Sequence, residues 1–87
     1  MSELAKALGK NIKEARRAKR VSQDVFALMC KLDRSYMGRI ERGEVNITVE
    51  KLYQIARCLE CEPSSLLPQM QVLTPVPLMD SGFCKPS

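Results

Sequence analysis

No histidine and no tryptophan occur among the 87 residues, and the aromatics are two tyrosines and two phenylalanines. Without histidine the chain lacks the usual neutral-pH base and the His partner of a nucleophilic Ser or Cys. The four glycines are scattered, so no glycine-rich loop is present to cradle a phosphate. No catalytic constellation emerges, and no cofactor is implied. No run approaches the roughly 18 apolar residues of a membrane span, and the opening MSELAKALGK lacks the apolar stretch of a signal peptide. A cytoplasmic protein without a membrane partner is expected. The four cysteines are accordingly expected as thiols, not as a disulfide framework. Internal repeats and low-complexity runs are absent as well.

What is present is a short, basic chain with uneven charge. Residues 1–42 hold 11 Lys/Arg against 5 Asp/Glu, whereas residues 43–87 hold 3 against 5. A basic first half suggests a polyanionic partner, with a merely solvated basic surface as the alternative. A chain of this length buries only about 60–65% of its unfolded surface, so dimerisation is a common helper.

Apolar residues Leu4, Ala5, Leu8, Ile12 and Ala15 recur at helical spacing and predict an amphipathic helix over Glu3–Arg20. Gly9 interrupts it, at about 1 kcal/mol relative to alanine. Ser22 is an N-cap candidate for a helix from Gln23 to Cys30, and Asp33 for a segment Arg34–Arg42 that stops at Gly43. Thr48 precedes a fourth helix, Val49–Leu59, and Pro63 suits the first position of a fifth, Pro63–Leu67. Residues 68–87 contain four of the five prolines, which no helix could span. Their apolar members run from Val72 to Phe83, and Val72–Leu78 suits either an extended arm paired across a dimer or a loosely packed terminus.

Two short helices about three residues apart match a helix-turn-helix. The flanking stretch VSQDVFALMCKLDRSYMGRIERGEVNITVEKLYQIARCLECEPSSLL closely resembles the Cro/C1-type (XRE-like) helix-turn-helix family. Within it, LDRSYMGRIERG looks most like the controller proteins of restriction–modification systems. The resemblance covers about residues 8–67. It implies an all-α, five-helix lambda-repressor-like DNA-binding domain in residues 1–67, followed by an extended proline-rich tail in 68–87.

The resemblance assigns roles by position. Arg34, Ser35 and Arg39 would read bases in the major groove, since Arg can bond guanine O6 and N7 together. Ser22, Gln23, Tyr36, Arg42, Asn46 and Thr48 would meet the DNA backbone, with Ser22 and Gln23 at a helix amino end that favours phosphate. Tyr36 has a second reading as a packed aromatic. Gly38 would permit close approach to the groove. Arg16 and Glu41 correspond to a partly buried ion pair between the first and third helices, whereas the run Arg16–Arg20 is either a solvated helix end or an extra phosphate attractor. Met37 and Ile40 fall on the inward face. Lys31 stands where the family's turn has glycine, which implies a left-handed backbone at about 1 kcal/mol. Val25 and Leu28 occupy usually polar positions and hint at an additional apolar contact, with the tail as one candidate.

Cys58-Leu59-Glu60-Cys61 has a C-x-x-C spacing that invites a metal or redox reading. Zinc needs four ligands, and only Cys30 and Cys84 remain to complete a set. By resemblance Cys30, Cys58 and Cys61 pack in the core, with thiol or metal response as the alternative. The function implied is a dimeric transcriptional regulator of double-stranded DNA, binding a palindromic operator and regulating its own promoter, with the question of a small-molecule effector left open. An antitoxin-like protein-interaction module of the same fold is the other reading. Self-association is expected through the outer faces of the last two helices, including Tyr53, Leu66 and Leu67.

Overall fold

The computed structural model describes residues 2–70. Its elements are α1 (Glu3–Ala18), α2 (Gln23–Cys30), α3 (Arg34–Glu41), α4 (Val49–Leu59) and one 3-10 turn (Pro63–Ser65). Among the described residues there is no strand. The five-helix expectation is thereby corrected to four α-helices and a 3-10 turn. Pro63 starts that turn and Ser65 Oγ donates back to Glu62 O at 2.7 Å; Pro68 then disfavours helical backbone at Leu67. The first helix also ends earlier than expected, because Arg20 adopts φ 59°. Arg42 caps α3 instead of belonging to it. The tail expectation, including the arm over Val72–Leu78, lies largely in residues 71–87, outside the described residues.

Each helix starts on a side-chain cap. Ser2 Oγ accepts from Ala5 N at 3.0 Å, Ser22 Oγ from Val25 N at 3.2 Å, and Thr48 Oγ1 from Lys51 N at 3.1 Å. Asp33 Oδ2 accepts from both Ser35 N (3.0 Å) and Tyr36 N (3.3 Å). Caps of this kind are worth about 1 kcal/mol each, which matters for helices as short as the 8 residues of α2 and α3. The turn between them is tight. Lys31 takes the left-handed conformation, φ 61° and ψ 40°, and its N–H reaches back to the α2 carbonyls. A lysine thus stands in a conformation that costs an L-residue about 1–2 kcal/mol.

The core gathers one face of every helix: Ile12 from α1, Phe26 from α2, Met37 and Ile40 from α3, Ile55 from α4, and Leu66 beyond the 3-10 turn. Leu66 is only 2% exposed, so it is a core residue and is removed from the expected self-association face. α1 lies against α3, while α2 touches both α3 and α4. Where α1 crosses the end of α3, the two backbones nearly touch. A Cβ on Gly9 would run into Ile40 O and lie 2.8 Å from Glu41 O. The glycine that weakens α1 on helix propensity is therefore the one residue that lets α1 approach. Gly43 is bound twice over: its φ is +75°, and a Cβ there would lie 2.6 Å from Lys6 Cα.

Candidate nucleic-acid interface

The junction of α1 and α3 carries the two buried charges of the described residues, Arg16 and Glu41. Arg16 Nε donates to Glu41 Oε2 at 2.7 Å and Arg16 Nη2 to Glu41 Oε1 at 3.1 Å. Such a fork matches the geometry of a carboxylate. Arg16 Nη1 donates to Val21 O at 2.8 Å, and Gln23 Nε2 donates to Glu41 Oε1 at 3.0 Å. One carboxylate thus ties α1, the amino end of α2 and the carboxyl end of α3 together. No buried side-chain N or O among the described residues lacks a partner.

On the outer side of that brace, Gln23, Asp24, Arg34, Ser35, Gly38, Arg39 and Arg42 line a shallow cleft of about 350 Å³. Three guanidinium groups therefore share one exposed surface. The three sequence-expected base readers, Arg34, Ser35 and Arg39, are all exposed on it. Ser22 caps α2 immediately before Gln23. Its oxygen accepts the cap bond, which leaves the hydroxyl hydrogen to donate. Gln23 is half-buried, and one of its amide hydrogens is committed to Glu41. Gly38 is buried, and a Cβ there would lie 3.1 Å from Arg42 Nη1 and 3.4 Å from Gln23 Oε1. Its bareness therefore makes room for two protein side chains.

Other expected contact residues lie outside this cleft. Asn46 is exposed in the loop before α4, and its Oδ1 accepts from Ser2 Oγ at 3.4 Å. Thr48 caps α4. Tyr36 is half-buried and packed against the core, so the aromatic body is anchored whatever its hydroxyl does.

Two carboxylates escaped the sequence reading. Arg34 Nη1 pairs with Asp24 Oδ2 at 3.0 Å, across ten residues. Glu44 takes Arg42 at 2.7 Å and Arg39 at 3.8 Å. The hydrogen bond from Arg42, helped by the charges of Arg42 and then Arg39, holds the Glu44 carboxyl below its ordinary value against the opposing effect of desolvation. The same bond raises Arg42 above the usual arginine value. Proximity in sequence made the Glu44–Arg42 pair findable; nothing in the spacing marked Asp24 as a partner of Arg34. Each cleft arginine is thus paired with an internal carboxylate, and exposed pairs of this kind are weak enough to exchange.

The three cysteines among the described residues are core-associated. Cys30 is buried and Cys58 and Cys61 are half-buried, all as free thiols. Among the described residues no group of three or more His, Cys, Asp or Glu is placed to hold a metal ion. No helix among them is long and apolar enough to cross a membrane.

The chain's similarities agree with this geometry. Residues 12–66 match the HTH_3 family, described as helix-turn-helix. Control protein C.BamHI of Bacillus amyloliquefaciens is 33% identical over 60 residues, spanning 68% of this chain and 74% of the relative. The restriction-modification controller protein C.AhdI of Aeromonas hydrophila has a similar structure, with TM-score 0.70 and 36% identity over 72% of this chain and 96% of that one. A hypothetical transcription factor, NHTF, from Neisseria superposes with TM-score 0.74 at 31% identity, over 80% of each chain. The relatives are controllers and transcriptional regulators. With four capped helices, a left-handed α2–α3 turn and more than half its length matched, the chain belongs to the XRE-like (HTH_3) helix-turn-helix family of DNA-binding transcription regulators.

Proposed function

We propose that the protein is a sequence-specific transcriptional regulator that binds a palindromic operator in double-stranded DNA as a homodimer and controls its own promoter, as a restriction–modification controller would. The observation that carries the reading is the convergence of Arg34, Ser35, Arg39 and Arg42 on one exposed face of α3 and its cap. A helix 8 residues long with its amino end capped from below fits a major groove about 12 Å wide. In this proposal Arg34, Ser35 and Arg39 contact base edges, and Ser22, Gln23, Tyr36, Arg42, Asn46 and Thr48 hold phosphates. Arg16 and Glu41 act behind the interface by fixing the angle between α1, α2 and α3.

Dimerisation is proposed through α4 and the segment after it. Val49 is 70% exposed, Tyr53 55% and Leu67 45%, an unusual amount of apolar surface for so short a helix and its extension. A dimer that sets two recognition helices about 34 Å apart reads two half-sites on one face of the duplex. The working site is then the cytoplasm, at the nucleoid.

The test is selection of bound duplexes from a random pool, followed by titration of the selected site and a scrambled one. Arg39→Ala should lose about 1–3 kcal/mol of discrimination between them. Equal weakening on both sequences would reduce Arg39 to a phosphate contact, and failure to enrich any site would overturn sequence-specific recognition.

A further inference from the structure

The C-x-x-C spacing pairs Cys58 with Cys61, but the fold presents Cys58 with a different partner. Cys58 is on α4, and its Sγ donates to Met29 O of α2 at 3.4 Å. That carbonyl belongs to the residue just before Cys30, the last residue of α2. Gln54, one turn before Cys58 on α4, donates its side-chain amide to Cys30 O, so the backbone of Cys30 is held against the same helix face. The two cysteines therefore lie at the same α2–α4 contact, against the core. Cys61, by contrast, lines a separate cleft of about 220 Å³ with Tyr53, Ala56, Arg57 and Pro63.

We propose that Cys30 and Cys58 form a redox-modification site, closing to an intramolecular disulfide when the protein meets a small disulfide oxidant of the glutathione class. The two cysteines sit on adjacent helices already in contact, α2 and α4, so side-chain rotation is the movement that would bring the sulfurs to the roughly 2.03–2.05 Å of a bond.

The chemistry has an order. Cys58 is half-buried and reachable, whereas Cys30 is only 1% exposed. Burial, then the hydrogen bond and charge of Cys58, push the Cys30 thiol up to about 12, so it is inert towards an external reagent. The Cys58 thiolate attacks one sulfur of the oxidant, whose S–S bond breaks, and the first small thiol leaves. With Cys58 capped as a mixed disulfide, two of the three influences that raised Cys30 are gone. Cys30 passes its proton to the departing second thiolate and bonds to the Cys58 sulfur. Two protein thiols are oxidised and one small disulfide is reduced to two thiols.

The cross-link closes a loop that contains the turn, all of α3, the following loop and most of α4. It fastens the last residue of the first helix of the DNA-reading pair to the helix bearing Tyr53. This site stands apart from the proposed function: it concerns the thiols alone, and its chemistry is read without DNA.

The experiment incubates the full chain with oxidised glutathione, blocks remaining thiols under denaturing conditions, and maps disulfide-linked peptides by mass spectrometry. A Cys30–Cys58 linkage is expected, retained in Cys61→Ser and lost in Cys58→Ser, with the urea midpoint of the oxidised wild type moved to higher denaturant. Both thiols remaining free in the oxidant-treated wild type overturns the proposal, whether or not any variant folds. So does a Cys58–Cys61 linkage, or one that joins Cys58 to Cys84.

Discussion

Two sets of arginine–carboxylate pairs lie close together at the carboxyl end of α3, and they behave oppositely. Arg16 and Glu41 are buried, with side chains 10% and 2% exposed, and every polar atom is matched. Arg42 and Glu44 form an equally short contact, 2.7 Å, with side chains 60% and 37% exposed. Distance alone does not distinguish them. Burial does: a desolvated pair cannot be half removed without stranding a charge, whereas an exposed pair trades partners with water or a polyanion at little cost. The inner pair is a joint and the outer pairs are exchangeable, though both use the same groups.

The most forceful way to break the comparison is Glu41→Ala. It strands Arg16 and releases Gln23, and should destabilise the fold by about 3–5 kcal/mol, measured by urea unfolding. A loss within the range of an exposed pair would show that water reaches Arg16. Gly9→Ala tests the same joint through the backbone. Helix propensity alone predicts a gain of about 1 kcal/mol, but a Cβ would collide with the carbonyls of Ile40 and Glu41, so a loss of about 1–3 kcal/mol is expected. The sign of the change in melting temperature decides between local propensity and packing.

Smaller effects come from the turn and the outer surface. Lys31→Gly relieves a left-handed backbone worth about 1–2 kcal/mol but adds flexibility to the unfolded chain; a net stabilisation of about 0.5–1 kcal/mol should appear in the same denaturation assay. Glu44→Gln should leave the melting temperature unmoved. It frees Arg42 for phosphate, so binding to duplexes of any sequence should tighten and the salt dependence should steepen by at most about one ion. Unchanged salt dependence would mean that Arg42 does not reach the DNA backbone.

The local parts of this structure were legible in the sequence. Ser22, Asp33 and Thr48 are caps because a short polar side chain precedes a helical apolar pattern, and the left-handed backbone at Lys31 followed from the resemblance, which has glycine at that position. Helix lengths were less legible: Arg20 and Arg42 are good helix formers, yet the chain has to turn at each. What stayed hidden required knowing which distant segments meet. Gly9 looked like a defect because its partners are carbonyls some thirty residues away, and Leu66 looked available for association because nothing local says that α1 and α4 enclose it. The candidate site showed the same division. Arginines at positions 34, 39 and 42 announced a basic face, whereas the pairing of Arg34 with Asp24, and the approach of Cys30 to Cys58, depend on how α2 lies against its neighbours.

The bare crossing of α1 and α3 has a mechanical consequence. At Gly9 and again at Gly43 main chain rests on main chain, with no side chain between to compress or rotate. Such a contact transmits displacement with almost no slack. A load on the α1 backbone, from a fused domain or a neighbouring protein, would tilt α3 as a lever tilts about its fulcrum.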